Sequence, residues 1–336
     1  MSSTNASSTG PAPQRGRRLR GLVLIPVVLF VVVFVVARLG VGMFGGSAQD
    51  DNPFLERPPL VSTDTAVARA AEKSSGDDQR ILQRLAGVPQ ATWLTPEALP
   101  VDQVGAFVSK TAAEAEAAGR TPVFVVYGIT DRDCSAGYSS GGLPADQYGE
   151  WVGRIAEAAG GEAAAILEPD ALATSTECNQ GQQRMDLLSD AVDRLSDRGV
   201  TVYLDAGHAS WIEPATMADM LTKAGVSKAR GFSTNVAGYE SAQDEQTYAE
   251  AVNQALGGGV HYVTDTGRNG AGSNGEWCNP SGRAVGREPA AQDGGSLDAY
   301  LWIKPPGESD GTCGGGPDAG VFWPDRALTM ARAAGW

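Results

Sequence analysis

A chain of 336 residues, 42% hydrophobic and with 43 glycines, suits one large α/β domain with a terminal extension better than two separate domains. The formal net charge is −14, and because Arg15, Arg17, Arg18, Arg20 and Arg38 all precede the first acid, the rest of the chain is more acidic still. Such a surface lacks the clustered Lys and Arg that phosphate contacts need, which excludes nucleic acid and favours an uncharged or cationic ligand.

Residues 1–20 form a basic, Ser/Thr/Pro-rich leader, and residues 21–42 enclose an uninterrupted apolar run from Leu22 to Ala37. The run reads as a signal peptide or a membrane anchor. The positive-inside rule leaves the leader in the cytoplasm and sends everything after Gly40 outside. A polar linker over 43–51 then leads into the folded part of the chain, expected from Asn52 to Trp336. Four cysteines in an exported chain predict two disulfides, for which counting alone allows three connectivities. Sequential pairing is expected, Cys134 with Cys178 and Cys278 with Cys313.

Helical spacing of apolar residues marks Thr65 to Lys73 and Asp77 to Leu85, after which strands and helices alternate. Gln90 to Leu94, Thr121 to Tyr127, Ala164 to Leu167, Val200 to Leu204, Gly231 to Thr234, His261 to Thr264 and Ala299 to Ile303 read as strands. Asp102 to Ala118, Tyr148 to Ala159, Gln182 to Asp197, Ala215 to Lys223 and Gln243 to Leu256 read as the helices between them, with Pro324 to Ala334 as the last. Repeated strand–helix units with short connections imply parallel strands, closed into a barrel or wound as an open sheet.

The residues at the strand ends point to chemistry. The apolar run Ala164-Ala165-Ile166-Leu167 stops at Glu168-Pro169-Asp170, where the proline restricts its own φ and biases Glu168 toward extended geometry. Asp133, Asp170, Asp205, Asp265 and Asp310 each come after a strand, and in a barrel all strand carboxyl ends ring one mouth. Singly, each aspartate reads equally as a cap or a turn former. Together with Tyr127, Trp211, Trp277 and Trp302 beside them they suggest a carboxylate-lined cleft, with Trp211 and Trp277 as platforms and Trp302 as core. Only His208 and His261 are present, so zinc is disfavoured, and no G-x-S-x-G elbow supports a serine triad. Magnesium held by aspartates is compatible with the acids, but no Walker-type phosphate loop accompanies it. Glycoside hydrolysis fits better: one carboxylic acid kept protonated by burial or a neighbouring charge, and a second carboxylate at work beside it.

The ordered segments NPF at Asn52, PQATWL at Pro89, VVYGITDRDC at Val125, ILEPDAL at Ile166, VYLDAGHASWI at Val202, GFSTNVAGY at Gly231, DTGRNG at Asp265, EWCNPSGRAVG at Glu276 and LWIKPPGESDGTC at Leu301 resemble glycoside hydrolase family 6, cellulases that cleave β-1,4-glucan with inversion. The resemblance covers Asn52 to Trp336. It implies a single catalytic domain folded as a distorted, incompletely closed parallel β/α barrel. It implies Asp170 as general acid, Asp133 as the acid that raises its pKa and relays a proton from water, Tyr127 against the distorted sugar, and Asp310 as base or charge stabiliser. Asp205, His208, Trp211, Asn235 and Trp277 match residues that bind or orient glucose units, and Lys304 and Glu308 match the sugar-binding wall. Both expected disulfides agree with the family, and no cofactor or metal is implied. Inversion implies an acid and base roughly 6.5 to 9.5 Å apart, with room for a water.

Two departures stand out. Thr130 replaces the family's usual proline, and the loop between Asp310 and Phe322 is short and Gly-rich. Compact loops favour an open groove and endo-cleavage over a processive cellobiohydrolase, while a weakly active glucan-binding surface protein is the rival in another class. No cellulose-binding module is visible, so soluble or amorphous glucan is the expected partner of an extracellular, monomeric enzyme.

Overall fold

The computed structural model describes Gly10 and residues 51–135, 137–178 and 180–336. The basic leader, the apolar run and nearly all of the linker lie outside the described residues. Eight strands form one sheet in the order β1 (Thr92–Leu94), β2 (Val123–Val126), β3 (Ala164–Leu167), β4 (Thr201–Asp205), β5 (Gly231–Thr234), β6 (His261–Asp265), β8 (Leu297–Leu301), β7 (Ala290–Ala291). All pairings are parallel except that of β7, which runs antiparallel on the outer edge of β8. The sheet curls into an open half-barrel. The seam is narrowed where Ala91 N–H donates to the Trp302 carbonyl at 2.9 Å and Trp93 Nε1 to the Ile303 carbonyl at 2.8 Å.

Helices follow or precede most strands, and those over residues 101–255 cover the convex face. The helices are α1 (Pro53–Glu56), α2 (Ala66–Lys73), α3 (Gly76–Ala86), α4 (Val101–Ala118), α5 (Ala145–Ala159), α6 (Gly181–Ser196), α7 (Pro214–Lys223), α8 (Ala242–Ala255) and α9 (Pro324–Ala333). Because strand side chains alternate, each strand feeds two cores. Phe124, Val126, Leu167, Leu204, Phe232 and Tyr262 face the helices and meet residues such as Val104, Trp151, Leu188 and Val252. Val125, Tyr127, Ile166, Tyr203, Val263 and Leu301 point into the barrel, where Phe54 fills the lower end against Tyr203. Burial on both faces explains why these strands read as unbroken apolar runs.

The expected strands and helices all occur, with shifted ends. α5 starts three residues earlier than its apolar period shows, directly after Pro144. Trp302 lies just beyond β8 yet is buried in a separate cluster against Trp336, so it belongs to the core as expected. The two-residue β7 and the single turn α1 have no counterpart among the expected elements, since neither is long enough to show a period. Among the described residues no helix is long and apolar enough to cross a membrane.

Candidate active site

Glu168 builds the foundation. Completely buried at the end of β3, its carboxyl accepts from Gly128 N–H at 2.9 Å, Ile129 N–H at 3.1 Å and Tyr148 OH at 2.9 Å. These bonds clamp the turn after β2 against the turn after β3. Gly128 is required there, because a Cβ would lie 2.7 Å from the Trp151 ring. Burial pushes the Glu168 carboxyl up to about 7 despite those donors.

Glu168 lies in the left-handed region at φ 50°, not in the extended geometry expected before Pro169; Asp170 follows, also left-handed at φ 67°, and its own N–H donates to Asp205 Oδ2 at 2.9 Å. Asp205 also accepts from Gly207 N–H at 3.1 Å, and the Ser233 hydroxyl lies 3.3 Å from its other oxygen. Asp205 therefore orients the backbone that carries Asp170. Burial, and then the carboxylates of Asp205, Asp133 and Asp310, raise the Asp170 carboxyl well above the ordinary range, opposed by Lys304.

Asp133 lies on the loop after β2, where Asp131, Asp133 and Cys134 all have positive φ. Backbone of this kind costs of order 1–3 kcal/mol per residue and persists only when its surroundings impose it. Here the Cys134–Cys178 disulfide and Arg132 impose it. Arg132 Nη1 donates to the Tyr127 carbonyl at 2.6 Å, Nε donates to the Ser139 carbonyl at 2.7 Å, and the guanidinium pairs with Glu97 at 3.2 Å. The same guanidinium stacks over the Tyr127 ring at 4.3 Å while Trp93 meets that ring edge-on at 5.1 Å. Tyr127 OH then donates to Asp133, 3.1 and 3.2 Å from its two oxygens. Burial raises the Asp133 carboxyl, with the Tyr127 hydroxyl, Arg132 and Arg184 pulling the other way.

Asp310 has the opposite environment. Arg268 Nη1 donates to it at 2.7 Å, Tyr239 OH at 3.0 Å and Asn279 N–H at 3.0 Å. Burial alone would raise its carboxyl, but Arg268, Lys304 and the Asn279 N–H outweigh it and hold the group below the usual range. Lys304 pairs with Glu308 at 3.6 Å and sits 4.9 Å over the Trp93 ring.

The remaining residues form walls. Asp265, also at a strand end, spends its oxygens on backbone N–H groups of Ala237, Gly267, Ile303 and Lys304, which makes it a brace between loops. Asn235 is wholly buried, with its amide on the carbonyls of Asp265 and Glu240. His208 and Trp211 lie together after β4 with ring centroids 5.4 Å apart, and burial lowers the His208 pKa. Trp277, beside the Cys278–Cys313 disulfide, is 65% exposed and meets Tyr138, 52% exposed, at 6.1 Å. The two disulfide loops touch through these rings. Trp93, Arg132, Tyr138, Tyr239, Arg268 and Asn279 are not among the residues singled out from sequence. All but Tyr138 fall inside quoted motifs, and for Arg132 and Arg268 a basic residue within three positions of a strand-end acid is the available signal.

Fold and site together define a β/α-barrel protein whose cleft gathers carboxyls of opposed protonation bias at the strand carboxyl ends. Residues 51–334 match the profile of the glycosyl hydrolases family 6, and the chain belongs to that family. It is 44% identical over 277 residues to Endoglucanase A of Cellulomonas fimi, covering 82% of this chain and 61% of that protein. It is 38% identical over 281 residues to Endoglucanase 1 of Streptomyces halstedii, covering 80% and 86%. The solved endoglucanase Cel6 from Mycobacterium tuberculosis, in complex with methyl-cellobiosyl-4-deoxy-4-thio-β-D-cellobioside, superposes with a TM-score of 0.80 at 42% identity, covering 85% of this chain and 100% of that one.

Proposed function

We propose that the protein is an endo-β-1,4-glucanase that hydrolyses internal bonds of cellulose or a related β-glucan with inversion. The observation that carries this reading is the contrast between two carboxyls of one cleft: Asp170 is pushed toward its protonated form and Asp310 is held ionised by Arg268. Asp170 gives its proton to the glycosidic oxygen as the C1–O bond breaks. A water on the opposite face of the ring adds to C1, and the proton it loses is relayed through Asp133 to solvent. The fixed charge of Asp310 stabilises the positive charge that develops on the sugar. Tyr127, gripped between Arg132 and Trp93, bears on the distorted ring. His208, Trp211, Trp277, Lys304 and Glu308 bind the flanking glucose units, with Asp205 and Asn235 orienting the walls behind them. No step uses a cofactor.

Similarity to proteins named endoglucanase and the short loop from Asp310 to Phe322 support internal cleavage. Relatives named cellobiohydrolase, such as that of Emericella nidulans at 32% identity, favour the processive alternative, which the same substrate test separates. The domain over 52–336 acts as a monomer outside the cell, exported by the apolar run as signal peptide or retained by it as anchor. Two disulfides support an oxidising compartment.

The full-length chain should release reducing ends from carboxymethylcellulose with a rapid fall in viscosity, and the first product should be the α-anomer. No release, or unchanged release by Asp170→Asn, sinks the enzyme reading. Slow viscosity loss with cellobiose as the sole early product would favour the processive one.

A further inference from the structure

Arg184 is fully buried in the first turn of α6, a helix whose other buried residues are Met185, Leu188, Ala191, Val192 and Leu195. Both facts call for a cause, because burying a cation costs several kcal/mol and a helix N-terminus disfavours positive charge. Its contacts supply one. Arg184 Nη1 donates to the Ala171 carbonyl at 3.0 Å and to Thr174 Oγ1 at 2.7 Å, and Nη2 donates to the Asp131 carbonyl at 2.7 Å. Thr174 in turn donates to the Asp170 carbonyl, from its hydroxyl at 2.8 Å and its N–H at 2.9 Å. One guanidinium thus joins the loop that carries Asp133 to the turn that carries Asp170. Both segments hold left-handed backbone at Asp131, Asp133, Cys134, Glu168 and Asp170, which neither segment would keep by itself. The Cys134–Cys178 bond ties the same segments further along.

We propose that Arg184 is a positioning residue: its planar fork sets the placement of Asp133 relative to Asp170, so that the proton donor and the carboxylate that tunes it act as one unit. The inference rests on the glucanase reading and extends it to a residue outside the cleft. Lysine cannot replace the fork, since a point charge on a flexible stem cannot hold two carbonyls and a hydroxyl in fixed directions.

The charged and titratable groups involved can be named. Glu168, Asp133, Asp131 and Tyr127 face Arg184; Tyr127, Arg132 and Arg184 face Asp133; Asp205, Asp133, Asp310 and Lys304 face Asp170. Removing the Arg184 charge therefore makes Asp133 harder to ionise.

The test uses the full chain with Arg184→Met and Arg184→Lys. Arg184→Met should lower kcat on cellotetraose roughly 10- to 100-fold with little change in KM, as small misplacements of reacting groups do. It should also move the acidic limb of the kcat profile to higher pH. Arg184→Lys keeps the charge, so its acidic limb should stay while kcat still falls. A lowered Tm with unchanged kcat and unchanged pH profile would overturn the proposal. If Arg184→Met does not fold, wild-type kcat in Arg184→Lys overturns it alone. Amide hydrogen exchange of residues 131–141 and 170–178 should quicken together in Arg184→Lys, and unchanged exchange in both also overturns it. The exchange arm needs no turnover, so it decides the clasp separately from whether the wild type cleaves glucan.

Discussion

Asp205 accepts the backbone N–H of Asp170 at 2.9 Å, so one carboxylate both holds the other in place and bears on its charge. Asp205→Asn keeps an acceptor for that N–H and removes the charge. The Asp170 carboxyl should then lose its proton at lower pH. Because the basic limb of the kcat profile reports an acid that must stay protonated, that limb should move to lower pH while the acidic limb changes less. A pH profile on cellotetraose checks this, and an unmoved basic limb contradicts the assignment.

Asp170→Asn should reduce hydrolysis of cello-oligosaccharides by about 10²- to 10⁴-fold, the range that general acid catalysis supplies. A dinitrophenyl cellobioside, whose leaving group needs no proton, should lose far less. Equal losses on both substrates would mean that Asp170 does more than donate a proton.

Glu168 links the site to stability. Its folded-state carboxyl is raised from 4.5 to about 7, so the native state binds the proton that the unfolded state releases. Stability from this group is full below pH about 4.5 and falls as pH rises toward about 7. Glu168→Gln cannot titrate, and its denaturation midpoint should vary less between pH about 4.5 and pH about 7, the interval between the two states' values, than that of the wild type. Guanidinium unfolding at several pH values measures the difference.

Arg268 and Asp310 form a buried pair at 2.7 Å. Arg268→Met should cost about 3–5 kcal/mol, because an unpaired buried carboxylate remains. The Asp310 carboxyl is lowered in the folded state, so its stabilising contribution is present at neutral pH and lost as pH falls through the folded-state value. The variant should therefore lie well below the wild type in stability at pH 7 and converge on it in acid, as thermal unfolding would reveal.

Reduction or Cys→Ser replacement of Cys134–Cys178, which closes a separation of 44 residues, should lower stability by up to about 4 kcal/mol in the chain-entropy view. It should also lower kcat, since the bond pins the Asp133 loop. Tm and kcat of Cys134→Ser/Cys178→Ser measure both.

Much of this protein is legible in its sequence. A parallel strand covered on both faces must be continuously apolar, so β2, β3 and β4 announce themselves, and the polar residues that end them, Tyr127, Glu168 with Asp170, and Asp205, mark the mouth of the barrel. Helix ends were less legible, because α5 begins on residues that come after Pro144 without any apolar period of their own. The five strand-end aspartates looked alike in sequence and are not alike in space. Asp265 is consumed by four backbone N–H groups, Asp205 holds the Asp170 backbone, Asp310 sits on Arg268, and Asp170 faces three other carboxyls. The chain order alone determined that acids end the strands. Only the tertiary structure decided which is biased toward its protonated form and which toward its charged form, because the pKa of a buried carboxyl depends on burial and on neighbours such as Arg268 and Asp310, 42 residues apart in sequence and 2.7 Å apart in the fold.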